Sequence, residues 1–161
     1  MNTHSTGAQT HVYITRSSEE TIALGRELAL LLAPPKMLVL RGDLGAGKTT
    51  LVKGIAAALG AAEPEEITSP TFTLIHEYEG QLPASDAQPS AQAVRLYHID
   101  VYRLESQRQL DTLGMEEFLT PDSVVLVEWG EKFPWIVTHS HGEISIHALH
   151  GEERKITLSL H

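Results

Sequence analysis

The run Gly42-Asp43-Leu44-Gly45-Ala46-Gly47-Lys48-Thr49 constrains this chain more than any other stretch. It fits G-x-x-x-x-G-K-[ST], a phosphate-binding loop set between a strand and a helix. Each residue type has a physical task. The glycines let the backbone turn tightly and approach a ligand with no side chain in between. The loop amides then converge as an anion nest. Lys48 supplies a point charge for β- and γ-phosphates, and the Thr49 hydroxyl is placed to ligate Mg²⁺. A helix starting near Thr49 aims its positive dipole end at the same spot. The competing explanation is a Gly-rich turn that matches by chance. It leaves the flanks unexplained: Met37-Leu38-Val39-Leu40 is an apolar strand-like run, and Leu51 to Leu59 has helical periodicity.

The rest of the chain falls into place around that unit. Met1 to His11 is polar and is expected to be a flexible tail, with residues 12–161 as one domain. Val12-Tyr13-Ile14 suits a short strand. Ser17-Ser18-Glu19-Glu20 opens a helix with a Ser cap and acids in its first turn. Leu24, Leu28 and Leu31 continue it at helical spacing, and Pro34-Pro35 stops it. Gly60 suits the end of the helix after the loop. Thr68-Ser69-Pro70-Thr71 turns into a strand in which Phe72, Leu74, His76 and Tyr78 alternate with their neighbours. Gln81 to Ala93 is rich in Pro, Ser, Ala and Gln and is expected to be a loop. Val94 to Asp100 is another strand. Ser106 to Leu119 holds one or two short helices, with Gly114 between them. Ser123 to Trp129 is nearly all apolar, as strands buried on both faces of a parallel sheet are. Ile144, Ile146 and Ala148, then Ile156, Leu158 and Leu160, alternate around Gly151 as a terminal hairpin. The expected fold is α/β and P-loop NTPase-like, in three layers. A central mixed sheet lies between helices and ends in a C-terminal β-hairpin.

Composition narrows the function. The 161 residues carry a formal net charge of −9. Such a surface does not favour nucleic-acid backbones, so RNA or DNA is expected to be met only through a partner protein. No cysteine is present, which excludes disulfides and thiolate metal sites. The N-terminus lacks a signal sequence, and no apolar run approaches the roughly 20 residues of a membrane span. A cytoplasmic protein with no membrane contact is expected.

Two carboxylates stand out. Glu128 ends an apolar strand, where P-loop proteins place an acid that holds Mg²⁺ directly or through water. The competing explanation is a solvated strand end. His98 and Asp100 lie two apart and share a strand face. Asp100 suits either orientation of the attacking water or a share in the metal. His98 suits a ligand contact or a hydrogen-bonded position within the sheet.

Four ordered segments now resemble one family. They are Gly42 to Thr50, Ser69-Pro70-Thr71-Phe72, Tyr97 to Arg103, and Val127-Glu128-Trp129. Together they are similar to the TsaE family, small P-loop ATPases of bacterial tRNA threonylcarbamoyladenosine synthesis. The likeness spans about Ser17 to Trp129, is weaker over the terminal hairpin, and departs mainly in the Gln81–Ala93 insertion. It implies a subunit that binds and hydrolyses ATP with Mg²⁺ and supports TsaD and TsaB homologues. Those partners transfer a threonylcarbamoyl group to adenosine 37 of tRNA, and a TsaC-type enzyme makes the activated donor. The TsaE-like subunit itself meets tRNA only indirectly. The resemblance implies nucleotide contacts from Ser18, Gly45, Ala46, Gly47, Lys48, Thr49, Thr50, Thr71, Trp129 and Arg154. It implies Mg²⁺ on Thr49 and Glu128, and catalytic roles for Lys48 and Asp100. Ser69-Pro70-Thr71 would be a loop that senses the γ-phosphate.

Rival classes meet specific obstacles. A small-molecule P-loop kinase needs Arg residues that clamp acceptor and phosphates. Only seven Arg are present, and Arg95, Arg103 and Arg108 form the one central cluster. A guanine-specific GTPase carries N-K-x-D, but the only Asn is Asn2. A metal site at His139, His141, His147 and His150 lacks both Cys and an H-E-x-x-H pattern.

Overall fold

Alternation along the apolar strands sets the architecture. In the computed structural model, residues 9–43, 45–70, 74–82, 84, 86 and 90–161 are described. The P-loop strand β2 (Lys36–Arg41) lies between two parallel neighbours, β5 (Ser123–Glu128) and β6 (Gly142–Ala148). Beyond β5 come β4 (Gln92–Asp100), parallel to it, and then β3 (Ile75–Leu82), antiparallel to β4. Beyond β6 come β7 (Arg154–Leu160) and β1 (Gln9–Thr15), each antiparallel to its neighbour. The result is one mixed seven-stranded sheet in the order β1-β7-β6-β2-β5-β4-β3. The expected terminal hairpin is β6–β7, and it is built into this sheet.

Odd and even positions of the central strands face different helices. Leu38, Leu40, Leu96 and Leu126 pack with Leu28, Leu51 and Ile55 of α1 (Ser18–Ala29) and α2 (Lys48–Ala58). Met37, Val39, Ile99 and Val127 pack with Leu110 of α3 (Gln107–Leu113) and Ile136 of α4 (Pro134–His139). Every residue of β5 is buried, as its apolar run requires. This gives the expected three layers. The helix α1 starts as read from sequence, with the Ser17 hydroxyl accepting from the Glu20 N–H at 3.1 Å. Its contact with α2 is backbone-close at Gly54. A Cβ there would sit 2.0 Å from the Ile22 carbonyl oxygen, so only glycine allows α1 to lie this near the P-loop helix.

Several expected boundaries move. The ladder pairs Gln81 with Ala93 and Leu82 with Gln92, so β3 and β4 run into the stretch read as a loop. The cause is that ladder bonds are made by backbone, which Gln and Ala supply as well as Val does. Leu82 closes this end by burying its side chain, at 8% exposure. The strand expected from Phe72 begins at Ile75, and residues 71–73 lie outside the described residues. The six-residue α4 was not expected. Pro134 at its first position is the one signal for it.

Candidate nucleotide-binding site

The site sits at the C-terminal ends of β2, β5 and β4, over the start of α2. Gly45 (φ 78°) and Gly47 (φ 109°) take left-handed backbone conformations, which bends the loop round the helix end. The helices α1 and α3 have their first amides capped by Ser17 and Ser106. Gly47 caps α2 with no side chain, so its leading amides face the cavity without a side-chain acceptor.

A buried charge network crosses this opening. The Lys48 Nζ donates to the Gly42 carbonyl at 2.7 Å and lies 3.3 Å from Glu128 Oε1. It also lies 4.8 Å from the centre of the Trp129 ring. The other Glu128 oxygen accepts from His98 Nε2 at 2.7 Å. His98 is fully buried, and its Nδ1 has no partner among the described residues, so the proton belongs on Nε2. The open question about His98 is answered by this geometry: it is a hydrogen-bonded sheet residue that holds Glu128. Burial pushes the Glu128 carboxyl up, but the His98 bond and the Lys48 charge outweigh that and hold it below the ordinary value. Glu128 is therefore ionised at neutral pH. Asp100 stands beside it, paired in register across β4 and β5, and its Oδ1 accepts from the Tyr102 N–H at 2.8 Å.

Two adjoining cavities share Gly45, Gly47 and Thr50. The first, about 290 Å³, is also lined by Lys48, Thr49, Ser69, Asp100, Glu128 and Trp129. The second, about 120 Å³, is also lined by Ser18, Thr21, Glu152 and Arg154. Arg154 starts β7, and its Nε donates to the Ala46 carbonyl at 2.8 Å, which pins the loop from the far strand. The fold thus gathers Ser18, Gly45, Gly47, Lys48, Thr49, Thr50, Asp100, Glu128, Trp129 and Arg154. Ala46 lines neither cavity; its side chain is buried in the core. Thr71 lies outside the described residues. Ser69 was legible only as part of its motif, and it lines the larger cavity.

The family described as Threonylcarbamoyl adenosine biosynthesis protein TsaE matches residues 15–156. The chain belongs to the TsaE family. A relative from Treponema pallidum (strain Nichols), named tRNA threonylcarbamoyladenosine biosynthesis protein TsaE, is 38% identical over 146 residues. That match covers 91% of this chain and 98% of the relative. A TsaE from Bacillus subtilis (strain 168) is 38% identical as well, over 90% of this chain and 82% of its own. The crystal structure of YdiB from Bacillus subtilis superposes with a TM-score of 0.65 at 32% identity, over 97% of this chain and 88% of that one.

Several residues of the rival sites have other partners. His139 Nδ1 pairs with the Trp135 carbonyl at 2.8 Å, and its ring stacks on Trp135. His141 Nδ1 accepts from the Met37 N–H at 2.9 Å, a bond between β2 and the turn before β6. Among the described residues no group of three potential ligands could hold a metal through His, Asp or Glu side chains. Arg95 lies at the far end of β4 from Asp100, between Glu77, Glu79 and Asp122, and lines neither cavity of this TsaE-family site.

Proposed function

We propose that the chain binds Mg·ATP in this opening and hydrolyses it as the ATPase subunit of tRNA threonylcarbamoyladenosine synthesis, in support of TsaD and TsaB homologues in the cytoplasm. One observation carries the reading: Lys48, Asp100 and Glu128, three buried charges, converge at the uncapped start of α2. The donor set suits both ligands. Left-handed glycines, helix amides and a lysine suit phosphates, while a hydroxyl and two carboxylates suit a hard cation. Thr49 and Glu128 would hold Mg²⁺. When bound, it neutralises charge that develops on the phosphates. Lys48 is held ready by Glu128 and Gly42 and would direct its charge at the β- and γ-phosphates. Asp100 orients the attacking water, with its carboxylate steadied by Tyr102. Trp129 flanks the bound nucleotide, while Ser18, Thr50 and Arg154 hold it from the α1 and β7 side. Thr71 completes the nucleotide-contact set, and Ser69-Pro70-Thr71 responds to the γ-phosphate. No helix is long and apolar enough to cross a membrane, among the described residues. The net charge of −9 suits docking on a tRNA-modifying enzyme over gripping tRNA directly.

Turnover alone should be slow. Among the described residues no Arg lines the larger cavity, and a missing arginine finger lowers P-loop hydrolysis by roughly 10³–10⁵. Steady-state phosphate release by the purified chain should stay below about one per minute and rise at least roughly tenfold when TsaD and TsaB are added. Turnover at tens per second, with no gain from partners, would rule out a partner-regulated subunit.

A further inference from the structure

The segment after β4 is tied down by a side chain from another element. Lys132 ends the short 3-10 helix Gly130–Lys132 that follows β5. Its Nζ donates to the Tyr102 carbonyl at 2.6 Å and to the Leu104 carbonyl at 3.0 Å. Among the described residues it has no carboxylate partner; both of its hydrogen bonds go to this loop, and its ammonium also lies 5.8 Å from the centre of the Phe133 ring. The ammonium also lies 5.4 Å from the centre of the Tyr102 ring, which tilts against Trp129 with centroids 5.0 Å apart. On its other side Tyr102 donates its N–H to Asp100 Oδ1. Tyr102 is therefore fixed at both ends of its backbone, by Asp100 through nitrogen and by Lys132 through oxygen.

We infer that Lys132 is a positioning residue for hydrolysis: through Tyr102 it sets the orientation of Asp100, and it holds the Tyr102 ring against Trp129. The competing explanation is a surface lysine that merely satisfies loop carbonyls. Ordering an exposed lysine costs side-chain entropy, so two charge-assisted bonds and a ring contact aimed at one short loop are not a default arrangement. Small displacements of a group that orients a reactant lower rate far more than affinity.

The inference rests on Asp100 acting in hydrolysis, and the test separates the two. Single-turnover hydrolysis and Mg·ATP affinity are measured in the full chain carrying Lys132→Met, Lys132→Arg, Asp100→Asn, or Lys132→Met with Asp100→Asn. Lys132→Met, which keeps the stem and drops the charge, should lose about tenfold in rate with Kd changed by less than about twofold. Lys132→Arg should recover to within about threefold of the parent, since it keeps donors to both carbonyls. The double variant should be no slower than Asp100→Asn alone. The change in Trp129 fluorescence on nucleotide binding should shrink in Lys132→Met. A merely structural lysine would lower Tm and leave the rate of the folded protein unchanged. Parental rate in Lys132→Met beside a slow Asp100→Asn, or losses that multiply in the double variant, would overturn the inference alone. Parental rate in Asp100→Asn would overturn the role of Asp100 and this inference with it.

Discussion

Lys48→Ala is expected to bind Mg·ATP roughly a hundredfold more weakly than the parent chain. Charge-assisted bonds to phosphate are the strongest single contacts available here, and Lys48 is already ordered inside the loop. Its Nζ rests on Gly42 and Glu128, and the side chain is 7% exposed, so little freedom remains to be lost on binding. The same substitution acts on the free protein. It removes the cation paired with Glu128, leaving only the His98 hydrogen bond on the buried carboxylate. Breaking a buried pair from one side destabilises by about 3 kcal/mol, or a Tm lower by about 6–12 °C for a domain of this size. Calorimetry below that transition isolates the binding effect. Parental affinity in Lys48→Ala would remove the phosphate assignment for this loop.

The two carboxylates should separate by readout. Glu128→Ala takes away a charged ligand proposed for Mg²⁺ and also releases Lys48 from its ion pair. ATP binding without Mg²⁺ should then be unchanged or tighter, and the gain in affinity from Mg²⁺ should fall by at least about tenfold. Hydrolysis should fall with it. Asp100→Asn keeps size and the bond from Tyr102 but removes the charge. Mg·ATP should bind normally while hydrolysis drops by about 10²-fold or more. Isothermal titration with and without Mg²⁺ decides between them. Normal Mg²⁺ dependence in Glu128→Ala, with its loss in Asp100→Asn, would exchange the two roles.

What was legible in the sequence and what was not divides along a physical line. The P-loop strand, loop and helix are contiguous, so local spacing and glycine chemistry specify them. The buried strand ending at Glu128 declares itself by an apolar run too continuous for a surface strand. The contacts that make a site of these pieces are not local. His98 meets Glu128 only because β4 and β5 are neighbours in parallel register, a property of sheet order. Lys48 meets Glu128 across an even longer sequence separation. Lys132 carried no signal, because a single lysine after a strand fits any surface turn. The ends of β3 and β4 stayed hidden because edge strand β3 and the start of β4 that pairs with it accept Gln and Ala, so their composition matched a loop.

The central claim is that ATP turnover at this site supports tRNA modification. Threonylcarbamoylation of tRNA can be followed over many cycles in a mixture of TsaD, TsaB and a TsaC-type donor enzyme, with either the parent chain or Asp100→Asn added. The donor enzyme is identical in both arms, so its own use of ATP cancels. Modified tRNA should accumulate well beyond one per transferase complex with the parent chain and stall with Asp100→Asn. Equal accumulation in both arms, or without this chain, would contradict the claim.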